Sequence, residues 1–200
     1  MQVNKARLRK QLDEMIDFDL SNARREWDDD SIRKIEDILN FKLPEDYRFY
    51  LKYYGNDYFK DDYYYTPSYP VFSPTKDEEY MADPLFGLYD GHNNLERAIN
   101  RFKGVEYFPE ELFPIGDGQG GNLVCMNKED GKIYLWFHDE GVDNCVFLVD
   151  DSFEQFIMNF SYHEEERSDI GNVKITIKPE YEEIFRKAVE DFKNKRLKDK

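Results

Sequence analysis

The segment from Phe113 to Phe160 constrains the fold of this 200-residue chain most strongly, because it contains the patterns of a hairpin, a further strand and a helix in immediate succession. Its first two apolar-rich runs, residues 122–127 and 132–138, are separated by a turn that ends in Asp130-Gly131. An Asp-Gly pair supplies the positive φ that a tight hairpin turn needs. We therefore predict that the two runs pair antiparallel.

A third strand and a helix follow the hairpin. Residues 145–149 form another apolar run, and Ser152-Phe153-Glu154-Gln155 has the pattern of a capping box, which satisfies free backbone N–H groups at a helix start. Apolar residues then recur at helical spacing as far as Phe160. This succession indicates an α+β fold, in which we expect a mostly antiparallel sheet of about five or six strands flanked by helices.

Further elements are predicted on both sides of this segment. Caps and apolar stripes indicate helices at residues 3–18, 31–39, 44–54 and 94–102, with Gly55 as the glycine that ends the third. Residues 56–82 have no clean period, and we interpret them as a long loop with one strand around residues 63–72. Near the C-terminus, residues 173–177 alternate like a half-buried strand, and Pro179 starts a last helix.

Several motifs occur in a characteristic order. Residues 38–47, Ile-Leu-Asn-Phe-Lys-Leu-Pro-Glu-Asp-Tyr, come first, and Phe86-Gly87-Leu88 with Asn93-Asn94-Leu95 comes next. Gly116-Asp117-Gly118 then precedes the hairpin, and residues 136–140, Trp-Phe-His-Asp-Glu, close it ahead of the Ser152 helix start. This order resembles the SUKH superfamily, a group of fungal cell-wall-synthesis regulators and bacterial immunity proteins.

The resemblance covers residues 31–160 and divides the chain into three parts. We expect an N-terminal helical extension at 1–30, a SUKH-like domain at 31–160, and a C-terminal strand and helix at 161–200 that pack on the same domain. The resemblance implies an immunity protein that binds a cognate toxin, commonly a nuclease, and masks its active site. The alternative it implies is a non-catalytic regulatory scaffold like the fungal members.

The net negative charge of the chain limits the kinds of molecule that it is expected to bind. The net charge is −15, and residues 31–177 hold 14 basic and 29 acidic side chains, so the whole excess lies in the central part of the chain. Such a field repels nucleic acid and anionic membranes and accelerates encounter with a basic protein surface. We therefore expect neither a nucleic-acid nor a membrane partner, although the same charge also serves solubility alone.

The N-terminus and the cysteines bear on location. Charged residues interrupt the first 20 positions, which hold no apolar run of the kind that a signal peptide needs, and no segment has the composition of a transmembrane helix. We therefore expect a cytoplasmic protein. In that compartment Cys125 and Cys145 are interpreted as buried thiols.

No set of residues predicts catalysis, a metal or a cofactor. The three histidines lie outside every metal or nucleophile motif. His138 stands beside Asp139 and Glu140, where an acid-base role is conceivable, but a strand-end histidine bonded to a neighbouring loop is commoner. Residues 116–121 lack the Lys-Ser/Thr of a phosphate-binding loop and lead into a strand, so they indicate a glycine-rich turn. An enzyme that uses His138 or this turn is the third alternative.

The candidate partner-binding residues are tyrosines and carboxylates. Tyrosine is frequent at the energetic centres of interfaces, and carboxylates pair with the basic residues that nucleases use on phosphates. Most candidates lie in an acidic tyrosine segment, residues 57–80, although such tyrosines also simply cover a sheet with their hydroxyl groups in water. The candidates are Asp61, Asp62, Tyr63, Tyr64, Tyr65, Asp77, Glu78, Glu79 and Tyr80, together with Asp117, His138 and Glu140 near the glycine turn.

Overall fold

The computed structural model describes residues 4–17, 26–55, 58–60, 63–71, 80–81, 85–140, 145–163 and 186. The chain divides into two compact units, Met1–Glu164 and Glu165–Lys200. Arg186 is the part of the second unit that is described, so the predicted strand at 173–177 and all of the predicted helix from Pro179 except Arg186 lie outside the described residues.

The described residues of the first unit form five α-helices, which confirm the helices predicted there. They are α1 (Lys5–Met15), α2 (Asp29–Leu39), α3 (Glu45–Tyr53), α4 (Leu95–Phe102) and α5 (Phe153–Met158). At four of the starts the N-cap side chain accepts a hydrogen bond from the backbone N–H three residues further on; these N-caps are Asn4, Asp28, Asn94 and Ser152. Because such a bond satisfies an otherwise free N–H group, each cap fixes where its helix begins.

The described strands form two antiparallel sheets. The strands are β1 (Tyr63–Tyr65), β2 (Tyr80–Met81), β3 (Leu112–Asp117), β4 (Leu123–Asn127), β5 (Ile133–Trp136), β6 (Val146–Asp150) and β7 (Phe160–Tyr162). One sheet has the order β2-β1-β7 and the other the order β3-β4-β5-β6. The α+β class is confirmed, but the strands we expected in one sheet are divided between two.

Strands β2, β3 and β7 were not predicted from the sequence, and local features explain why β3 and β7 were missed. Strand β3 contains Pro114 and has an irregular register between Pro114 and Gly116, which obscures the strand pattern. Strand β7 is three residues long and begins two residues after α5 ends. The predicted hairpin is confirmed as β4 and β5, with Cys125 opposite Tyr134 and a positive φ of 70° at Gly131.

The four-stranded sheet is buried on both faces. Val124, Met126 and Leu135 belong to the main core. The alternate positions belong to a second apolar cluster of Leu112, Leu123, Cys125, Trp136 and Cys145, against which Phe102 and Phe108 pack. Both cysteines are buried thiols, as predicted, and burial raises the pKa of Cys125 well above its usual value. Apolar residues on both faces explain why β4 and β5 are nearly continuous apolar runs.

Gly55 has a different role from the one expected. It directly follows the C-cap of α3, but it is not among the residues with positive φ. The left-handed helix end is instead at Asn40, with φ 48° after α2. Gly55 lies against Gly87, where an added Cβ would stand 1.1 Å from the Gly55 carbonyl oxygen. The two glycines therefore permit a close backbone approach that no larger residue allows at position 87.

Three buried carboxylates are held by specific donors. Glu36 accepts from the Leu43 N–H and from Lys42 and Arg48; although burial raises the pKa of Glu36, these bonds outweigh burial and lower it. Asp46, whose pKa is raised by burial, accepts from the Glu154 N–H and so joins the start of α3 to the start of α5.

The third carboxylate, Asp150, connects the two sheets. Asp150 is the last residue of β6 and has no exposed surface. It accepts hydrogen bonds from the hydroxyl of Tyr65 in β1, from Ser68 Oγ at 2.6 Å and from the side-chain amide of Asn159 at 2.8 Å. Desolvation raises the pKa of Asp150, and these bonds oppose the shift.

Asp150→Ala removes the acceptor of three donors, and we expect the free energy of unfolding to fall by about 3 kcal/mol. Asp151→Ala is the matched control at the next position, where the half-exposed carboxylate pairs with Lys132; we expect a much smaller loss there, because solvent screens the pair. Chemical denaturation of the two variants measures both values. Equal small losses would show that Asp150 does not connect the sheets energetically.

The same carboxyl group predicts a pH dependence. Because the folded pKa of Asp150 is raised above 3.8, the native state binds the proton more tightly than the unfolded chain. Its stabilising contribution is therefore complete below pH 3.8 and is lost as the pH rises through the raised pKa. We expect the wild type to gain stability relative to Asp150→Asn as the pH falls across this window, and a difference independent of pH would contradict the assignment.

Candidate protein-binding site

One end of the four-stranded sheet gathers polar and aromatic residues from four neighbouring strands. The register places Asp117 of β3 opposite Leu123 of β4, Leu123 opposite Trp136 of β5, and Trp136 opposite Val146 of β6. The residues just beyond these strand ends therefore lie together at this end of the sheet. They include the glycine turn, residues 118–121, and the Phe137–Glu140 segment.

The neighbouring loop holds His138 in place at this end of the sheet. Its backbone N–H donates to Asn122 Oδ1 at 3.3 Å, its ring Nδ1 lies 3.2 Å from the same oxygen, and its Nε2 lies 2.8 Å from Asp139 Oδ1. A Cβ on Gly121, which has φ 92°, would stand 3.2 Å from His138 Cε1. The glycine turn thus packs directly on the imidazole ring. This is the loop-bonded strand-end histidine that the sequence favoured.

A cavity of about 370 Å³ opens beside His138. We call it the sheet-end cleft, and its lining residues are Tyr107, Trp136, Phe137, His138, Asp139, Glu140 and Cys145. Tyr107 is 62% exposed and has a positive φ of 70°, which is uncommon for a residue other than glycine. Trp136 is 6% exposed, and its buried indole N–H has no acceptor in the described part of the chain. The cleft therefore combines an exposed ring, two carboxylates and a free donor.

Asp117 lies at the same end of the sheet but does not line the cleft. Its side chain is exposed. Partial desolvation of the carboxyl group nevertheless raises the pKa of Asp117, while the charge of Arg101 opposes the shift. Of the three candidates near the glycine turn, the structure thus brings His138 and Glu140 into one cavity and leaves Asp117 beside it.

The candidate tyrosines of β1 do not share one surface. Tyr63 and Tyr65 are 9% and 2% exposed, and the Tyr65 ring packs on Phe156 and Phe160. Their proposed contact with a partner is therefore corrected: alternation along the strand turns both rings into the core. Tyr64, between them, is half-buried, with its ring 5.3 Å from that of His163.

The other candidates of the acidic tyrosine segment are only partly visible. Tyr80 lies in β2, with its backbone opposite that of Tyr65. The remaining five lie outside the described residues; they are Asp61, Asp62, Asp77, Glu78 and Glu79. The segment and the sheet-end cleft belong to different sheets, so the candidates divide into two groups.

Two residues of the site were missed from the sequence. Asn122 begins the first predicted strand of the hairpin, but nothing in the sequence shows that its side chain would hold a residue 16 positions later. Tyr107 carries no signal either, because a positive φ at a residue other than glycine leaves no compositional mark. Within the described ranges, no cluster of three His, Cys, Asp or Glu side chains is placed to hold a metal. The same residues include no helix long and apolar enough to cross a membrane.

Comparison with known proteins assigns the family. The family model of SMI1/KNR4 (SUKH-1) matches residues 27–159, and the chain therefore belongs to this family, which includes immunity proteins. The predicted SUKH resemblance is thus confirmed.

Two individual proteins are similar to the chain. The SPbeta prophage-derived uncharacterized protein YokK of Bacillus subtilis (strain 168) is 30% identical over 141 residues, which are 65% of this chain and 72% of that protein. A crystal structure of a protein from Pseudomonas syringae pv. tomato is similar with 19% identity and a TM-score of 0.46, over 66% of this chain and 83% of that one.

Asn122→Ala tests whether Asn122 holds the cleft wall in place. We expect faster amide hydrogen exchange at His138, with a loss of global stability below about 1.5 kcal/mol, because the substitution removes hydrogen bonds at an exposed edge. Asn127→Ala is the matched control, since Asn127 Oδ1 accepts from the Glu129 N–H at the opposite end of β4. Unchanged exchange at His138 in Asn122→Ala would contradict the assignment.

Proposed function

We propose that this protein is an immunity protein, which binds a cognate toxin in the cytoplasm and neutralises it by masking its active site. The observation that carries the proposal is the distribution of charge within the family domain. Residues 31–177 hold 29 acidic and 14 basic side chains, and this range contains nearly all of the family match at 27–159. The proposal includes neither catalysis nor a cofactor.

The charge also suggests the chemistry of the toxin. A nuclease domain binds the phosphates of its substrate with lysine and arginine, so the surface around its active site is basic. An acidic domain approaches such a surface quickly and competes with the phosphates for the same side chains. We therefore propose that the toxin carries a basic nuclease domain.

Two parts of the protein are proposed to contact the toxin. The first is the sheet-end cleft, with His138 and Glu140 in its wall and Asp117 beside it. The second is the acidic tyrosine segment, in which Tyr64 is half-buried while its two neighbours belong to the core. The carboxylates of that segment, from Asp61 to Glu79, are proposed as its charged contacts.

The experiment co-expresses this protein with the product of the adjacent open reading frame, provided that this product has a toxin-like C-terminal domain. We expect Asp61→Asn, Asp62→Asn and Tyr64→Ala together to weaken toxin binding by about 100-fold and to reduce protection of the cells. Tyr65 stays unchanged in this variant because its hydroxyl group bonds to Asp150. The matched control neutralises Lys195, Lys198 and Lys200, where we expect binding and protection to remain.

Two outcomes would count against the proposal. Intact protection by the triple variant would show that the acidic tyrosine segment is not a contact surface. Modest binding of several partners at rates independent of salt, without protection against any toxin, would instead indicate a regulatory scaffold, since an acidic antidote should associate more slowly as salt rises.

A further inference from the structure

The sheet-end cleft has the dimensions of a pocket for one long side chain and its backbone. Its volume of about 370 Å³ lies near the lower end of the range for ligand pockets, roughly 300–1,000 Å³. One wall is the end of β5 with Trp136 and Phe137, and another is the acidic pair that follows His138. The cleft is therefore too small for a folded element but fits a single anchoring residue.

The charge of the lining favours a cation. Asp139 and Glu140 both line the cleft, and no lysine or arginine does among the described residues. The Asp139 side chain is 83% exposed and its partner is the imidazole of His138. Glu140 has no ion pair within the described ranges. One carboxylate is thus available to a cation, and a second lies next to it.

The exposed ring favours a planar cation. Tyr107 is 62% exposed, although a tyrosine ring gains free energy when it is covered. An arginine guanidinium stacks on an aromatic face and donates to carboxylates in a fixed fork, whereas a lysine ammonium is a strongly hydrated point charge. The combination of Tyr107 with Glu140 therefore fits arginine better than lysine.

The tryptophan supplies an independent observation. The indole N–H of Trp136 is buried and has no acceptor among the described residues, and a buried donor left unpaired costs on the order of 1–3 kcal/mol. A cationic side chain cannot accept a hydrogen bond from the indole N–H, but the main-chain carbonyl oxygen of an incoming residue can. A residue of a peptide chain provides both groups, a cationic side chain and a carbonyl oxygen.

We propose that the sheet-end cleft receives one arginine of the toxin, with its guanidinium between Tyr107 and the carboxylates of Asp139 and Glu140, and with a main-chain carbonyl beside it accepting from Trp136 Nε1. This inference rests on the proposed function. It specifies which chemical group of the partner the protein binds at this end of the sheet.

The first test uses the free protein and a capped arginine, N-acetyl-arginine-N-methylamide. The chain has two tryptophans, so an ¹⁵N spectrum contains two indole signals, and the Trp27→Phe variant assigns them. We expect the Trp136 signal to move to saturation with a dissociation constant on the order of 1 mM, while the Trp27 signal stays in place. Capped citrulline, which has nearly the same shape without the charge, should leave both signals unchanged.

Variants locate the binding. The double variant Asp139→Asn, Glu140→Gln should weaken binding of the capped arginine at least about 5-fold, and Tyr107→Ala should weaken it by a similar factor. The matched control is Glu129→Gln with Asp130→Asn in the β4–β5 turn, at the other end of the hairpin, where we expect no change. Equal shifts with citrulline, or no shift at Trp136, would overturn the proposal.

The last test separates this inference from the proposed function. Asp139→Asn with Glu140→Gln should weaken toxin binding by about 10-fold in the co-expressed complex. If this variant binds and neutralises the toxin as well as the wild type, the arginine site is wrong while the immunity role stands. If the wild type neutralises no toxin, the immunity role fails, and the capped-arginine titration still decides the chemistry of the cleft.

Discussion

The buried carboxylate of Asp150 is the interaction on which the arrangement of the two sheets depends. It belongs to the four-stranded sheet, and it accepts from Tyr65 of the three-stranded sheet and from Asn159, the C-cap of α5. A fully buried carboxylate is unfavourable unless its oxygens are bonded, and here three donors offset the desolvation that raises its pKa. The junction also explains why Tyr65 is a core residue and unavailable to a partner.

The family motifs have a common physical role, because they contact one another. Asp46, from the Leu-Pro-Glu-Asp-Tyr motif, accepts from the N–H of Glu154 in the helix-start motif. Gly87 of the middle motif lies against Gly55 at the end of α3. Gly131 of the hairpin turn lies against Pro44, with an added Cβ 3.0 Å from Pro44 Cγ. These three contacts stabilise the scaffold, whereas the motif at residues 136–140 lines the cleft that is proposed to contact the toxin.

The elements with strong local patterns were predictable from the sequence, and those fixed by tertiary contacts were not. The hairpin and the Ser152 cap follow from a turn and a capping pattern that act over a few residues. The connection between the two sheets includes the bond from Tyr65 to Asp150, which are 85 positions apart, so no local pattern predicts it. At the site, His138 and Glu140 could be chosen from residue type, but the exposed ring of Tyr107 could not, because its position depends on the loop backbone.

Amide hydrogen exchange of the complex with the toxin tests most directly whether this acidic domain neutralises a partner through its sheet end. Bound partners slow exchange where they exclude water and stabilise the local structure. We expect slower exchange at Tyr107, at residues 136–140 and around Tyr64 when the toxin is bound. Protection confined to α1, α2 and α3, with exchange at residues 136–140 unchanged, would contradict it.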